Sequence, residues 1–295
     1  MRHFFGPPQR RPDHDASRLI CWFKRLYEAL VFYSGLALFV GLALLWSLLA
    51  ALMCVILPRR VRMPLGRLGV AVFCHWFLLA LRATAIIQID LEALDALRDE
   101  RHLIIAPNHP SLLDVMLIAS RLPRVVCIIK SELRDHPLLG GGARLADYIC
   151  NRPSLAMVRA GIASLRAGHP LLIFPEGTRT EETPMNRFRG GFALIAKETG
   201  APVQTVFIET NSPFLGKGWP LFRKPAFPLI YRARLGERFH VCGDVKSFVG
   251  ELEAYYRHAL TAEPGVAQAK LGPASTMPAG APASTSASSP TLPAS

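Results

Sequence analysis

Leu103-Ile104-Ile105-Ala106-Pro107-Asn108-His109-Pro110-Ser111-Leu112-Leu113-Asp114 decides how this chain is read. Its first four residues are a continuous apolar run, short enough to be a strand buried on both faces. Pro110 keeps His109 out of helical geometry. Ser111 then offers an N-cap for a helix through Asp114, Met116 and Ile118. The stretch predicts a strand, a corner and a helix, with His109 at the corner and Asp114 in the first helical turn. A carboxylate placed there can hold one imidazole nitrogen and turn the other towards a substrate as a general base. The spacing alone does not decide the matter. With nine His and nine Asp in the chain, some His-x-x-x-x-Asp arises by chance in roughly a quarter of such compositions. A structural His beside a capping Asp fits the pattern equally.

A second stretch, Phe174-Pro175-Glu176-Gly177-Thr178-Arg179, follows the apolar run Leu171-Leu172-Ile173. It sets a carboxylate, a turn glycine, a hydroxyl and an arginine at the end of a strand, where open α/β sheets place their sites. Together the two blocks resemble the 1-acylglycerol-3-phosphate acyltransferase family of membrane glycerolipid acyltransferases. That family carries Asn-His-x-x-x-x-Asp and, some sixty residues on, Phe-Pro-Glu-Gly-Thr-Arg. Both stand here unaltered and at that spacing. The resemblance covers roughly residues 85–235. It implies an α/β fold, one acyltransferase domain whose mixed, largely parallel sheet is flanked by helices; the resemblance does not reach the first eighty residues, where the uncharged run adds an N-terminal membrane helix. Lys130-Ser131-Glu132-Leu133 matches a further Lys-x-Glu-Leu element of the family. Residues 146–152 occupy the place of its Gly-x-x-Phe-Ile-Asp-Arg block, which helps to bind the acceptor's phosphate, and keep only Arg152. That departure leaves the acceptor open. Pro202 is retained from a Pro-x-x-Pro element, with Thr205 in place of the second proline.

The resemblance implies acyl transfer from a thioester to a hydroxyl. His109 would take the alcohol's proton and Asp114 would fix its tautomer. Backbone N–H groups near Gly177 are candidates for the oxyanion. Arg179 is the first choice for an acceptor phosphate, since a guanidinium binds it bidentately. Lys130 and Arg152 come next, then Arg187 and Arg189. Thr178 completes the binding block, and Glu176 either meets an acceptor hydroxyl or positions Arg179. No cofactor is expected to be bound. The co-substrate is acyl-coenzyme A or an acyl-acyl carrier protein, the acceptor a lysophospholipid. A non-catalytic scaffold, a hydrolase and a nucleic-acid binder are the other classes this composition admits.

At 295 residues the chain has room for one sizeable core with appendages. Half of it is hydrophobic, 19% is charged and the net charge is +12. Beside a membrane segment such a balance points to anionic lipid. Neither zinc-finger spacing nor an aromatic-basic stripe supports nucleic acid, and the His residues show no metal-ligand spacing. The six cysteines contain no Cys-x-x-Cys and read as reduced apolar residues.

Residues 1–28 read as a loose basic N-terminus, with Arg18 to Glu28 either a short interfacial helix or a linker. Residues 29–57 lack any charged side chain, more than the roughly 20 residues a span requires. They predict a transmembrane or re-entrant helix. Arg59, Arg60, Arg62 and Arg67 follow, which places the catalytic domain on the cytoplasmic face by the positive-inside rule. Arginine far outnumbers lysine, a usage associated with bacteria and hence with an inner membrane. Residues 58–84 form a basic and apolar linker whose run Leu68 to Leu81 either lies in the interface or covers the core. The acyltransferase domain is residues 85–261, with Gly140-Gly141-Gly142 expected as a flexible loop at the site's mouth. Residues 262–295, almost all Ala, Pro, Ser and Thr, predict a disordered tail.

Overall fold

The structure is a computed structural model and describes residues 13–151 and 155–262. Seven strands form one sheet: β1 Ile87–Asp90, β2 Ile104–Pro107, β3 Val126–Ile129, β4 Ile149–Cys150, β5 Leu171–Leu172, β6 Val203–Thr210 and β7 Leu229–Phe239. Their order is β1-β7-β6-β2-β5-β3-β4. The run from β6 to β4 is parallel, while β7 pairs antiparallel with β6 and parallel with β1. This is the mixed, largely parallel α/β sheet that the sequence predicts.

Strands β2 and β3 are buried at every position, as unbroken apolar runs require when helices cover both faces. Alternate residues feed two cores. Leu103, Ile105, Cys127 and Leu172 face one side; there lie α2 (Arg59–Ala83) and α3 (Asp114–Arg121). Ile104, Val126, Leu171 and Val203 face the other, against α6 (Leu155–Arg166), α7 (Gly191–Thr199) and α8 (Val245–Ala262). Because β2, β3, β4 and β5 are parallel, the chain leaves all four at one edge. That edge therefore gathers His109, Lys130, Asn151 and the Glu176 turn.

The N-terminal helix α1 spans Asp13–Ile56, on the order of 66 Å at about 1.5 Å per residue. It does not begin near residue 29 but runs on through Lys24, Arg25 and Glu28. Those are good helix formers, so the charges do not end the helix. Both α1 and α2 are long and apolar enough to cross a membrane. Yet one flank of α1 is held to the domain. Tyr27 donates to the Thr84 carbonyl (2.9 Å), Glu28 pairs with Lys224 (2.7 Å), and Gly141 N–H donates to Ser47 Oγ (3.1 Å). The other flank exposes Leu30, Leu38, Leu45, Leu48 and Val55. Helix α2 buries Ala71, Cys74, Phe77 and Leu78, so the Leu68 to Leu81 run covers the core.

Two local expectations change. Gly140-Gly141-Gly142 is not a loop at the site's mouth but the start of α5 (Gly140–Leu145), buried under α1 and α2. A Cβ on Gly141 would lie 2.4 Å from the Ser47 carbonyl oxygen, and one on Gly142 2.4 Å from Trp46 Nε1. The glycines serve close approach of helices. Ser111 does not cap α3, which starts at Asp114 with Leu113 before it. Its hydroxyl stands ahead of the helix, accepting from Leu113 N–H (3.2 Å) and donating to the Phe214 carbonyl (2.9 Å). Residues 91–100 contain a 3-10 turn, Glu92–Leu97. Arg152, the N-terminal 12 residues and residues 263–295 lie outside the described residues.

Candidate active site

The corner after β2 is built by side chains that replace missing strand partners. Asn108 continues the β2–β6 ladder with its amide: it donates to the Ile208 carbonyl (3.0 Å) and accepts from Ile208 N–H (2.7 Å). The next residue, His109, is thereby lifted off the sheet edge. Its Nδ1 lies 2.8 Å from Asp114 Oδ2, and Ser111 N–H donates to the same oxygen (2.8 Å). Two donors converging on Oδ2 make it an acceptor, so Nδ1 carries the proton and Nε2 the lone pair. Nε2 has no hydrogen-bond partner among the described residues. The imidazole is 12% exposed and Asp114 fully buried. The ring stacks on Phe174 with centroids 3.8 Å apart, which fixes its plane. Burial raises the Asp114 carboxyl above the ordinary range, opposed by His109 and Ser111 N–H.

Glu176 is the hub between the two blocks. It is 2% exposed and accepts from His109 N–H (2.9 Å), Asn186 N–H (2.9 Å) and Thr180 Oγ1 (2.8 and 2.9 Å). Thr180 N–H in turn donates to the His109 carbonyl (2.8 Å). A buried carboxylate needs such donors to stay inside. The Glu176 carboxylate thus clamps the histidine's backbone.

The remaining residues are dispersed. Gly177 adopts φ +70°, and its N–H donates to the Phe174 carbonyl (2.9 Å), which engages it in the turn. Thr178 is half-buried beside it. Arg179 makes no ion pair with Glu176 among the described residues; its Nη1 donates to the Leu215 and Gly216 carbonyls (2.9 Å each). Lys130 is exposed, at the C-terminal end of β3 and ahead of α4 (Ser131–Asp135). Arg187 and Arg189 are exposed. The structure therefore brings together His109, Asp114 and Glu176, with Gly177 to Arg179 in the adjoining turn.

Sequence reasoning passed over three contributors. Asn186 and Thr180 carried no motif of their own; a carboxylate next to an apolar strand, requiring donors nearby, was the available signal. Tyr256 on α8 is fully buried. Its hydroxyl bonds the Ala106 carbonyl and accepts from Val206 N–H (3.0 Å), tying α8 to the strands that carry the corner.

An apolar cavity of about 280 Å³ lies between α1, α2 and the domain. Leu112 and Leu113 of the His109 corner form part of its wall, with Phe32, Phe39, Phe73 and Phe77.

The sequence model of the acyltransferase family matches residues 88–209. The 1-acyl-sn-glycerol-3-phosphate acyltransferase of Pseudomonas aeruginosa is 27% identical over 216 residues, 71% of this chain and 80% of the relative. The lyso-ornithine lipid O-acyltransferase of the same organism is 32% identical over 121 residues, 37% of this chain and 46% of the relative. In fold the chain is similar to the crystal structure of the 1-acyl-sn-glycerophosphate acyltransferase of Thermotoga maritima. The TM-score is 0.57 at 24% identity, covering 82% of this chain and 98% of that one. Residues 88–209, which hold both the His109–Asp114 pair and the Glu176 clamp, are thus the part of the chain that matches the acyltransferase family.

Proposed function

We propose that the protein transfers a fatty acyl group from a thioester, on coenzyme A or acyl carrier protein, to the free hydroxyl of a lysophospholipid, first of all 1-acylglycerol-3-phosphate. The observation that carries this reading is one loop with two functions. The corner that sets His109 Nδ1 2.8 Å from Asp114 also walls the apolar cavity through Leu112 and Leu113. A base thus stands beside a compartment suited to an acyl chain.

The acceptor hydroxyl gives its proton to His109 Nε2 as its oxygen attacks the thioester carbonyl. Asp114 holds the imidazolium that forms. The tetrahedral intermediate collapses, the carbon–sulfur bond breaks and the thiolate takes the proton back from Nε2. The acceptor itself supplies the nucleophile, so no acyl-enzyme is formed. The exposed apolar flank of α1 sits in lipid, where acceptor and product reside, and the domain faces the cytoplasm. An amino-acid-headgroup lysolipid is the second acceptor reading, favoured by the 32% identity to a lyso-ornithine lipid O-acyltransferase.

Acceptor-dependent thiol release from a long-chain acyl thioester tests the reaction. The wild type should release thiol only with a lysolipid present. His109→Ala should lose roughly 10³-fold of that rate while keeping its thermal midpoint. Retained activity in the mutant would remove the general base from His109.

A further inference from the structure

Residues 211–224, between β6 and β7, form a segment that neither catalytic block explains. The catalytic corner holds it through several bonds. Leu112 N–H donates to the Leu215 carbonyl (3.0 Å), Ser111 Oγ to the Phe214 carbonyl (2.9 Å), and Arg179 to the Leu215 and Gly216 carbonyls. On its far side Lys224 pairs with Glu28 (2.7 Å) and Tyr33 donates to the Phe222 carbonyl (3.4 Å), both on α1. Under the segment lies a second cavity of about 270 Å³, walled by Pro110, Thr180, Gly216, Lys217, Trp219 and Arg223 among others. Pro110 follows His109 directly, and Thr180 N–H is bonded to the His109 carbonyl (2.8 Å).

We propose that this cavity is the subsite for the anionic headgroup of the acceptor lysolipid, with Lys217 and Arg223 as its ligands. The inference rests on the acyl-transfer reading above. In a lysolipid acceptor only a few bonds separate the accepting hydroxyl from the headgroup anion. The anion's site must therefore adjoin His109, and this cavity shares wall residues with the catalytic corner. Arg179, the arginine that the sequence motif offers for the task, directs Nη1 to two carbonyls of the segment. It shapes the wall. Arg223 lies with its guanidinium carbon 5.1 Å from the centroid of the Trp219 ring and has no carboxylate partner among the described residues. Stacking holds its planar fork ready for an oxyanion. Lys217 pairs with Glu181, but both side chains are exposed, and an exposed pair exchanges readily for a better anion. Phe222, 70% exposed, and Leu221, also exposed, stand in the chain between the wall residues Pro220 and Arg223, and Leu221 lines the apolar cavity as well. An acceptor can thus keep its chain against apolar side chains while its headgroup enters. The shared chemistry is a compact anion: the phosphate of lysophosphatidic acid or the carboxylate of an amino-acid headgroup.

The test uses the full chain in lipid-detergent micelles and reads acceptor-dependent thiol release. Wild type, Lys217→Ala/Arg223→Ala and Arg223→Lys are compared with lysophosphatidic acid and with lyso-ornithine lipid. The double variant should raise the acceptor KM at least about tenfold with whichever acceptor is used. Its kcat and acyl-thioester KM should stay within about twofold. Arg223→Lys should recover part of the loss. An unchanged acceptor KM in the double variant overturns the subsite, as does a parallel fall of kcat with both KM values altered, the signature of a distorted segment. A wild type without acceptor-dependent release overturns the acyl-transfer reading and the subsite with it. An active wild type beside an insensitive double variant overturns the subsite alone.

Discussion

The corner at His109 and the packing of α1 against α5 are both buried, but they are held by opposite means. At the corner nearly every contact is a hydrogen bond to a specific atom. Asn108 reaches Ile208, Asp114 meets His109 and Ser111, and Glu176 meets His109, Thr180 and Asn186. At the helix junction the contacts are mainly of shape: Gly141 against Ser47, Gly142 and Gly69 against Trp46, and Phe39 against Phe73 and Phe77. The first region fixes residue types, because a donor or acceptor left alone inside the protein is expensive. The second fixes sizes, because close-packed surfaces tolerate no extra carbon. Specific bonding and close packing thus dominate in different parts of one domain.

Asp114→Asn should break the corner most deeply. Amide for carboxylate removes the group that selects the Nε2-basic tautomer, and activity should fall roughly 10³- to 10⁴-fold. Stability should move the other way with pH. Burial raises the Asp114 carboxyl, so the folded state holds the proton more tightly than the unfolded one. The stability that this group contributes is present below its unfolded pKa and lost as pH rises through the folded value. The variant lacks that loss. Its thermal midpoint relative to wild type should therefore rise from pH 4 to pH 7. A constant difference across that range would contradict the burial argument.

Glu176→Gln tests the clamp. The amide offers one acceptor oxygen where two are used and turns an NH₂ towards donors. We expect roughly 10²-fold lower kcat and about 2–4 kcal/mol lower stability, read by turnover and chemical denaturation. A variant that loses stability but keeps kcat would make the clamp a fold element only.

Gly141→Ala addresses the second region. The new methyl would lie 2.4 Å from the Ser47 carbonyl oxygen, and overpacking of this kind costs about 1–3 kcal/mol. Because no catalytic group moves, kcat of the folded fraction should hold. Loss of kcat without loss of stability would join the two regions that the comparison separates.

The same division explains what the sequence reveals. The apolar runs of β2, β3 and β5 are strands buried on both faces, and their parallel order places His109 and Glu176 at one edge. The His109–Asp114 contact is local in sequence, five residues apart, so it is legible from spacing. Glu176 is not: its partners His109 and Asn186 are 67 and 10 residues away. The fold alone turns a carboxylate expected to meet substrate or Arg179 into a backbone clamp. Gly140 to Gly142 misread for a related reason. Glycine signals flexibility in a loop and proximity in a helix contact, and only the position of α1 distinguishes them. The charged turn of α1 at Lys24 to Glu28 misleads about the helix's start, since hydropathy reports solvent and not backbone.

The smallest expected effect probes whether charge has any part in seating the helices. Arg59, at the start of α2, pairs with Asp147 at 2.6 Å, but its side chain is 68% exposed. Asp147 stands at φ +56° in the turn before β4, held there by Asp147 N–H donating to the Arg144 carbonyl (3.2 Å) and not by the ion pair alone. Exposed pairs contribute at most about 1 kcal/mol and are screened by salt. Arg59→Ala should therefore lower stability by less than about 1 kcal/mol, with the difference from wild type vanishing at high salt. Measured by denaturation at two ionic strengths, a larger, salt-insensitive loss would mean that this bridge fixes the α2–α5 contact. The glycine packing beside it, Gly66 against Leu145 and Ala146, would then be a consequence of that anchoring and not its cause.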